Sequence, residues 1–309
     1  MKIGILEFGN IEQRSGAEVL EAVLEYAQCA DVNGFSRFWI TEHHPLSMGW
    51  NNPEMLLPTL ACYTETIKIG IAGILSAIHA PYRVASSFKL LGTMFPGRID
   101  LGFANGKPSP EACKNMLNTE SPAPDIYHNF HGHVRKTHAF LTDEGPAAIA
   151  PYLGDLPEMW LLGASYQQLE LAAELGVGFS RSIFHTVERP EHEAEKVWEH
   201  RAQFAAIHQA PAPLNIAFAG ICDKDDRKAR KKFYELYQTE YDPNSNFIVG
   251  NPAYFNDRLS QMMEQTGIEE FIFKDLQTNN LGRMDTLHLL SKLISKPISA
   301  PTDYDKLEL

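Results

Sequence analysis

Phe38-Trp39-Ile40-Thr41-Glu42-His43-His44 carries an apolar run of strand length directly into three consecutive ionisable side chains. An imidazole titrates near neutral pH and an adjacent carboxylate can fix its tautomer, so such a segment can hold or move a proton at a reacting group. A continuous apolar run is what a strand buried on both faces looks like. The carboxyl end of such a strand is where barrel enzymes carry their chemistry. Burying unpaired polar groups is costly, so a buried strand has no structural use for Glu-His-His. The plainer alternative is a solvated loop start that holds two histidines.

Two further places invite a ligand. Ala72-Gly73 lies inside the β-branched run 67–75, and a glycine in a strand marks a close approach of backbone or ligand. Ser165 follows the apolar run 158–162 and opens a helical pattern. Its hydroxyl and the neighbouring backbone N–H groups, that of Tyr166 included, would make an anion site, although an ordinary capping serine looks the same.

The elements that must position these residues alternate along the chain. Strands are predicted over 2–8, 35–41, 67–75, 98–103, 158–162, 177–181, 214–222 and 271–274. Helices are predicted over 16–33, 53–64, 81–95, 132–141, 165–175, 190–208, 224–237, 252–266 and 283–294. In the first of these, Val19, Leu20, Val23, Leu24, Ala27 and Ala30 share one side, and Gly34 ends it. Residues 107–129 are rich in Pro, Ser and Asn and lose periodicity, which predicts a long loop of the kind that covers a site. The basic run 227–232 reads as a solvated helix face.

Eight strands alternating with helices predict one α/β domain over residues 1–309, a (β/α)8 TIM barrel with a long loop after strand 4. A doubly wound sheet would place a glycine-rich turn after the first strand, where Glu7-Phe8-Gly9-Asn10 stands instead.

Composition narrows the function classes. With 44% hydrophobic and 21% charged residues among 309, the chain can build a sizeable core. A net charge of -12 argues against a general nucleic-acid or membrane-surface partner. No apolar run is long enough to span a bilayer, and the first residues lack the flanks of a signal peptide. Four scattered cysteines without CxxC spacing fit a reduced, cytoplasmic setting and no metal site. A metal-dependent barrel hydrolase would want an HxH pair on the first strand, which has no histidine, and HExxH is absent.

Several segments together carry a resemblance that none carries alone. They are Gly34-Phe35 through His43-His44; Ile69-Gly70-Ile71-Ala72-Gly73 with His79-Ala80-Pro81-Tyr82-Arg83; and Pro96-Gly97-Arg98-Ile99-Asp100-Leu101-Gly102. Leu161-Leu162-Gly163-Ala164-Ser165 through Gly176, and Val249-Gly250-Asn251-Pro252 through Ile268, follow in the same order. In register, they resemble the bacterial luciferase-like flavin-dependent monooxygenases over nearly the whole chain, less closely between Gly106 and Pro157 and after Leu276. The resemblance implies a (β/α)8 barrel that binds reduced FMN at the strand ends. There the flavin reacts with O2 to give a peroxide at ring carbon C4a, and this oxygenates a small organic substrate. Some relatives use the deazaflavin F420 for hydride transfer instead, and others keep the barrel as non-catalytic flavin-binding or partner subunits.

The resemblance also assigns roles. His43 falls on the family's catalytic histidine, with Glu42 and His44 as supporting residues. Ala72-Gly73 falls on a non-proline cis peptide that bulges behind the flavin ring. Ser165 and Tyr166 fall near the phosphate. Asn105 stands where luciferase carries a phosphate-gripping arginine, so FMN should be held weakly unless Arg181 or Arg83 substitutes. With no nicotinamide fingerprint, reduced FMN would come from a separate flavin reductase. A homodimer is expected through the helices after the second and third strands, on Met55, Leu56, Leu57, Leu60, Val84, Phe88, Leu90 and Leu91. The pocket is expected to be lined by Phe8, Trp50, Phe103 and Ile183.

Overall fold

The barrel closes because its apolar strands have two faces to bury, one against helices and one against each other across a ring. The computed structural model describes residues 1–118, 126–185 and 194–294. The strands are β1 (Lys2–Glu7), β2 (Arg37–Ile40), β3 (Lys68–Leu75), β4 (Ile99–Ala104), β5 (Glu158–Gly163), β6 (Gly178–Ser182), β7 (Leu214–Cys222), β8 (Phe247–Gly250) and β9 (Glu270–Asp275). The helices are α1 (Gly16–Val32), α2 (Leu57–Tyr63), α3 (Pro81–Met94), α4 (Pro110–Leu117), α5 (Phe130–Leu141), α6 (Leu169–Leu175), α7 (Ala194–His208), α8 (Asp226–Tyr237), α9 (Pro252–Thr266) and α10 (Asn280–Leu290).

Strands β1 to β7 pair in chain order, all parallel, and β9 fits between β7 and β1 to close an eight-stranded ring. This is the expected (β/α)8 barrel. β8 stands outside the ring, paired to the far end of β7 at Ala219–Cys222. The prediction omitted it, although Phe247-Ile248-Val249 carries a β-branched and aromatic signal.

Alternation along each strand sorts the side chains. Outward residues such as Ile3, Ile5, Phe38, Ile40, Ile69 and Ile71 join Val19, Val23, Leu57, Leu60 and Phe88 of the helices in the main core. The inward residues form layers. At the amino end Arg37 binds Asp100 at 2.7 Å, and Glu158 and Glu270 at 2.9 Å each. Burial still pushes the Asp100 carboxyl up to about 6. Above this layer Trp39 meets Trp160 edge-on at 5.5 Å, and the Trp39 indole N–H donates to Asp100. Gly178 makes room for them: a Cβ there would lie 2.6 Å from the Trp160 ring. This plug closes the lower barrel and leaves the carboxyl end open.

Two stretches depart from expectation. Residues 53–64 divide into a 3-10 turn over Pro53–Met55 and the helix α2. The stretch 107–129, expected to be a loop, contains α4, whose start is capped by Ser109 accepting from the Ala112 N–H. Its apolar side is little more than Cys113 and Leu117, too short a stripe to register as periodic. Residues 119–125 of that stretch, and residues 190–193 of the helix expected from 190, lie outside the described residues. Among the described residues no helix is long and apolar enough to cross a membrane.

Candidate functional site

Immediately beyond β2 the chain sends its three ionisable side chains in different directions. The His43 ring stands edge-on to Phe8, centroids 4.9 Å apart, and its Nδ1 lies 2.8 Å from the Thr41 hydroxyl. Its carbonyl accepts from the Asn51 amide. Its Nε2 has no hydrogen bond among the described residues, so one ring nitrogen is oriented and the other is available. Burial lowers the His43 pKa, and the charges of Lys274 and His185 lower it further, which favours a neutral imidazole at pH 7.

Glu42 is almost fully buried and its carboxylate is occupied. It accepts from the Leu75 N–H at 2.8 Å, and it lies 2.8 Å from Nε2 of both His44 and His79. Burial would raise its pKa, but the His79 contacts, the Leu75 N–H and His44 outweigh this and hold it low. The same contact raises His79 against the cost of burial. Glu42 thus ties the end of β2 to the end of β3, with His44 bonded to it as well.

A cavity of 440 Å³ occupies the carboxyl end of the barrel, and His43, Glu42, Ala72, Gly73, Asn105 and Ser165 all border it. On the β3–β5 side the wall is Ala72-Gly73, Asn105, Leu162, Gly163-Ala164-Ser165 and Gln167-Gln168. On the opposite side it is Leu6, Phe8, Ser182, Phe184, His185 and Ala217. The Ala72–Gly73 peptide is cis, where the β3–β4 register shifts between Ile71 and Ile74.

Ser165, three of the expected lining residues and both arginines stand differently from expectation. Ser165 does not open a helix: α6 begins at Leu169, and Ser165 lies in the turn before it. The Tyr166 side chain turns away from the cavity, which leaves its backbone N–H, the group offered for an anion, untouched. Its ring is buried near Phe179, with the Arg181 guanidinium 5.0 Å from its centroid. His44, expected only in support, lies outside the cavity lining and bonds Glu42. Of the four lining residues expected, Phe8 alone lines the cavity, because Trp50, Phe103 and Ile183 are core residues. The Trp50 indole N–H donates to the Thr41 carbonyl, fixing the residue before Glu42. Neither arginine offered as a substitute borders the cavity. Arg83 is exposed on α3, and Arg181 is buried and donates to the Ala164 and Ser182 carbonyls.

Gln167, Gln168, Phe184 and His185, not among the expected site residues, also border the cavity, and Lys274 stands against the Phe8 ring outside the lining. Lys274 stands near the end of β9 and His185 three residues past β6, so the strand-end rule that found His43 applies to both. The Lys274 ammonium lies 3.6 Å from the Phe8 ring centroid and 5.4 Å from that of Phe184. Burial lowers its pKa to about 8.

A flavin needs a flat apolar wall for its ring and donors for its phosphate. The β3–β5 side has both. Gly73 lies so close to its neighbours that a Cβ would fall 2.5 Å from a Leu162 methyl and 2.8 Å from the Gly102 carbonyl oxygen, so the wall there is bare backbone. Asn105, Ser165, Gln167 and Gln168 supply neutral polar groups at its outer end. The residues therefore fit FMN, with no arginine or lysine among the described residues bordering the cavity.

Comparison with known proteins agrees with this geometry. The sequence profile of the luciferase-like monooxygenases matches residues 1–267. A luciferase-like monooxygenase of Escherichia coli (strain K12) is 29% identical over 280 residues, 88% of this chain and 82% of that protein. The crystal structure of apo-MsnO8 has a TM-score of 0.81 at 26% identity, covering 94% of this chain and 98% of that one. The oxygenating constituent of 3,6-diketocamphane monooxygenase from Pseudomonas putida, in complex with FMN, shares the fold. Its TM-score is 0.71 at 18% identity, over 96% of this chain and 97% of that one.

Proposed function

We infer that this chain, which belongs to the luciferase-like monooxygenase family, uses reduced FMN and O2 to oxygenate a small organic substrate. One observation carries the reading: His43, with an available Nε2, borders the same cavity as the bare Ala72-Gly73 wall and the Ser165 turn. When bound, reduced FMN supplies the electrons that activate O2 for transfer of one oxygen atom.

The chain supplies the surroundings for that chemistry. Ala72 and Gly73 back the flavin ring, while Asn105, Ser165 and the glutamines after it receive the phosphate. The neutral His43 Nε2 accepts or returns a proton at the reacting end, and Thr41 keeps the ring from turning. Leu6, Phe8, Trp39, Leu162 and Phe184 exclude water, which strengthens each remaining polar contact. Glu42 and His44 act on the frame of the site. With neutral donors alone at the phosphate end, oxidised FMN is held loosely and reduced FMN arrives from a separate flavin reductase. We propose a homodimer as the working form.

The test mixes the purified protein with chemically reduced FMN under anaerobic conditions, then admits O2 and follows flavin absorbance and oxygen uptake. Saturable binding of reduced FMN and a changed course of flavin reoxidation are expected, with turnover once a substrate is present. No saturable binding of reduced FMN, or binding of reduced F420 in its place, overturns the reading. Binding without any effect on reoxidation points to a flavin-carrying subunit.

A further inference from the structure

On the flavin reading above, on which the proposal below rests, the ring and phosphate occupy the β3–β5 side of the cavity. The rest is left to the substrate. Apart from His43, the walls there are apolar, formed by Leu6, Phe8, Trp39, Ala217 and Phe184. The polar exceptions all come from β6 and the residues after it: Ser180, Ser182 and His185.

Alternation along β6 places the two serines. Gly178 faces the barrel interior, since a Cβ there would meet the Trp160 ring, so Ser180 and Ser182 share that inward face. Phe184 continues it and packs with Leu6, Trp39 and Ala217. The His185 ring stands against Phe184, centroids 4.2 Å apart. The Ser182 hydroxyl is shut off from solvent and, among the described residues, has no hydrogen-bond partner. A buried hydroxyl without a partner is costly, and one that borders a binding cavity is repaid when a ligand supplies the missing bond.

Charge is kept out of this lining. Among the described residues no lysine or arginine borders the cavity, and the Glu42 carboxylate is engaged by the Leu75 N–H, His44 and His79. Lys274 stands against the Phe8 and Phe184 rings and borders instead the small neighbouring pocket, with Glu7, Glu12 and Asp275. A charged group on the substrate would enter without a counter-ion, at far greater cost than a neutral one.

We propose that Ser182 determines substrate specificity, and that the substrate is a neutral molecule of largely apolar body carrying a carbonyl group. The Ser182 O–H donates to the carbonyl oxygen, and the body packs on Phe8, Ala217 and Phe184. A hydrocarbon of the same shape leaves the hydroxyl unpaired and is rejected for that reason. An acid is rejected because its charge is uncompensated.

The probes are acetophenone, its hydrocarbon counterpart ethylbenzene and the anion benzoate, titrated by calorimetry into the intact protein with and without saturating FMN. Wild type is expected to bind acetophenone about tenfold more tightly than ethylbenzene, the effect of one buried hydrogen bond, and benzoate more weakly than acetophenone. Ser182→Ala should remove the preference by weakening acetophenone alone, and Ser182→Thr should retain part of it. Thermal unfolding is recorded for each variant. Because the hydroxyl has no protein partner, Ser182→Ala should not lower the melting temperature, whereas a structural serine would. Absence of acetophenone binding, equal binding of acetophenone and ethylbenzene, a preference that survives Ser182→Ala, benzoate bound more tightly than acetophenone, or acetophenone displaced by FMN overturns the proposal. FMN affinity is measured in the same series. A fall in Ser182→Ala would make the hydroxyl a flavin contact and overturn the proposal, while wild type that binds acetophenone as expected but no FMN sinks the flavin reading alone.

Discussion

His43 is oriented by Thr41 and Phe8, borders the cavity and leaves Nε2 without a hydrogen bond among the described residues. His43→Ala is expected to slow turnover by about 10²–10⁴-fold, the usual range for a group that handles a proton. Since the ring borders a cavity, its removal should hardly change the melting temperature. A large fall in melting temperature with unchanged rate per folded molecule would instead make His43 scaffold. Glu42 should behave in the opposite way. Its folded pKa lies below the ordinary 4.5, so its stabilisation is present above that value and is lost as pH falls through the folded value. The folded pKa of His79 lies above 6.5, so its share is complete below 6.5 and is lost as pH rises through the folded value. Glu42→Ala strands the Leu75 N–H and both imidazoles, at a cost of about 1–3 kcal/mol. Unfolding measured across pH should give the widest gap from wild type between these two ordinary values, narrowing on either side. A gap independent of pH would show that the ion pair is not the source.

At the scale of elements, the ends of β3 and β4 set the shape of the flavin side. Gly73→Ala brings a Cβ against Leu162 and the Gly102 carbonyl oxygen, which belong to two neighbouring strands and cannot both retreat. Overpacking of this kind costs about 1–3 kcal/mol, read as a lower melting temperature, and FMN affinity should fall with it. An unchanged melting temperature and affinity would mean that the wall yields. Asn105, just past β4, is the place to restore charge. Asn105→Arg should tighten FMN by about tenfold in a fluorescence-quenching titration, because a charge-assisted contact replaces a neutral one. No change would put the phosphate elsewhere.

At the scale of the molecule, the helices after β2 and β3 divide their apolar residues between two duties. Leu57, Leu60, Val84, Phe88 and Leu91 are buried in the chain's own core. Met55, Leu90 and Met94 remain 69%, 51% and 53% exposed, and Tyr63 is exposed beside them. We propose that this remainder is the homodimer face. Light scattering should give twice the chain mass of 34.7 kDa, and the double variant Met55→Lys/Leu90→Lys should give the chain mass with the barrel still folded. A monomeric wild type at micromolar concentration ends that proposal.

Periodicity and turn chemistry act over a few residues, and what depends on them was legible in the amino-acid sequence. The eight ring strands, the start of α9 at Pro252, the stop of α1 before Gly34 and the position of His43 beyond a buried strand all belong to that class. The absence of an arginine at Asn105 was equally plain. Closure of the ring decided the rest. It turned His43 into the cavity while Glu42 crossed to Leu75 and His79, a choice that adjacent residues in one strand end cannot encode alone. It turned Tyr166 inward onto Arg181 and added β8 outside the ring. It also brought Phe8, Phe184 and Lys274 together from β1, β6 and β9. These residues are far apart in the chain, and only the parallel pairing of β9 between β7 and β1 makes them neighbours. Local propensity carries no information about such encounters, because they are set by which strand lies beside which.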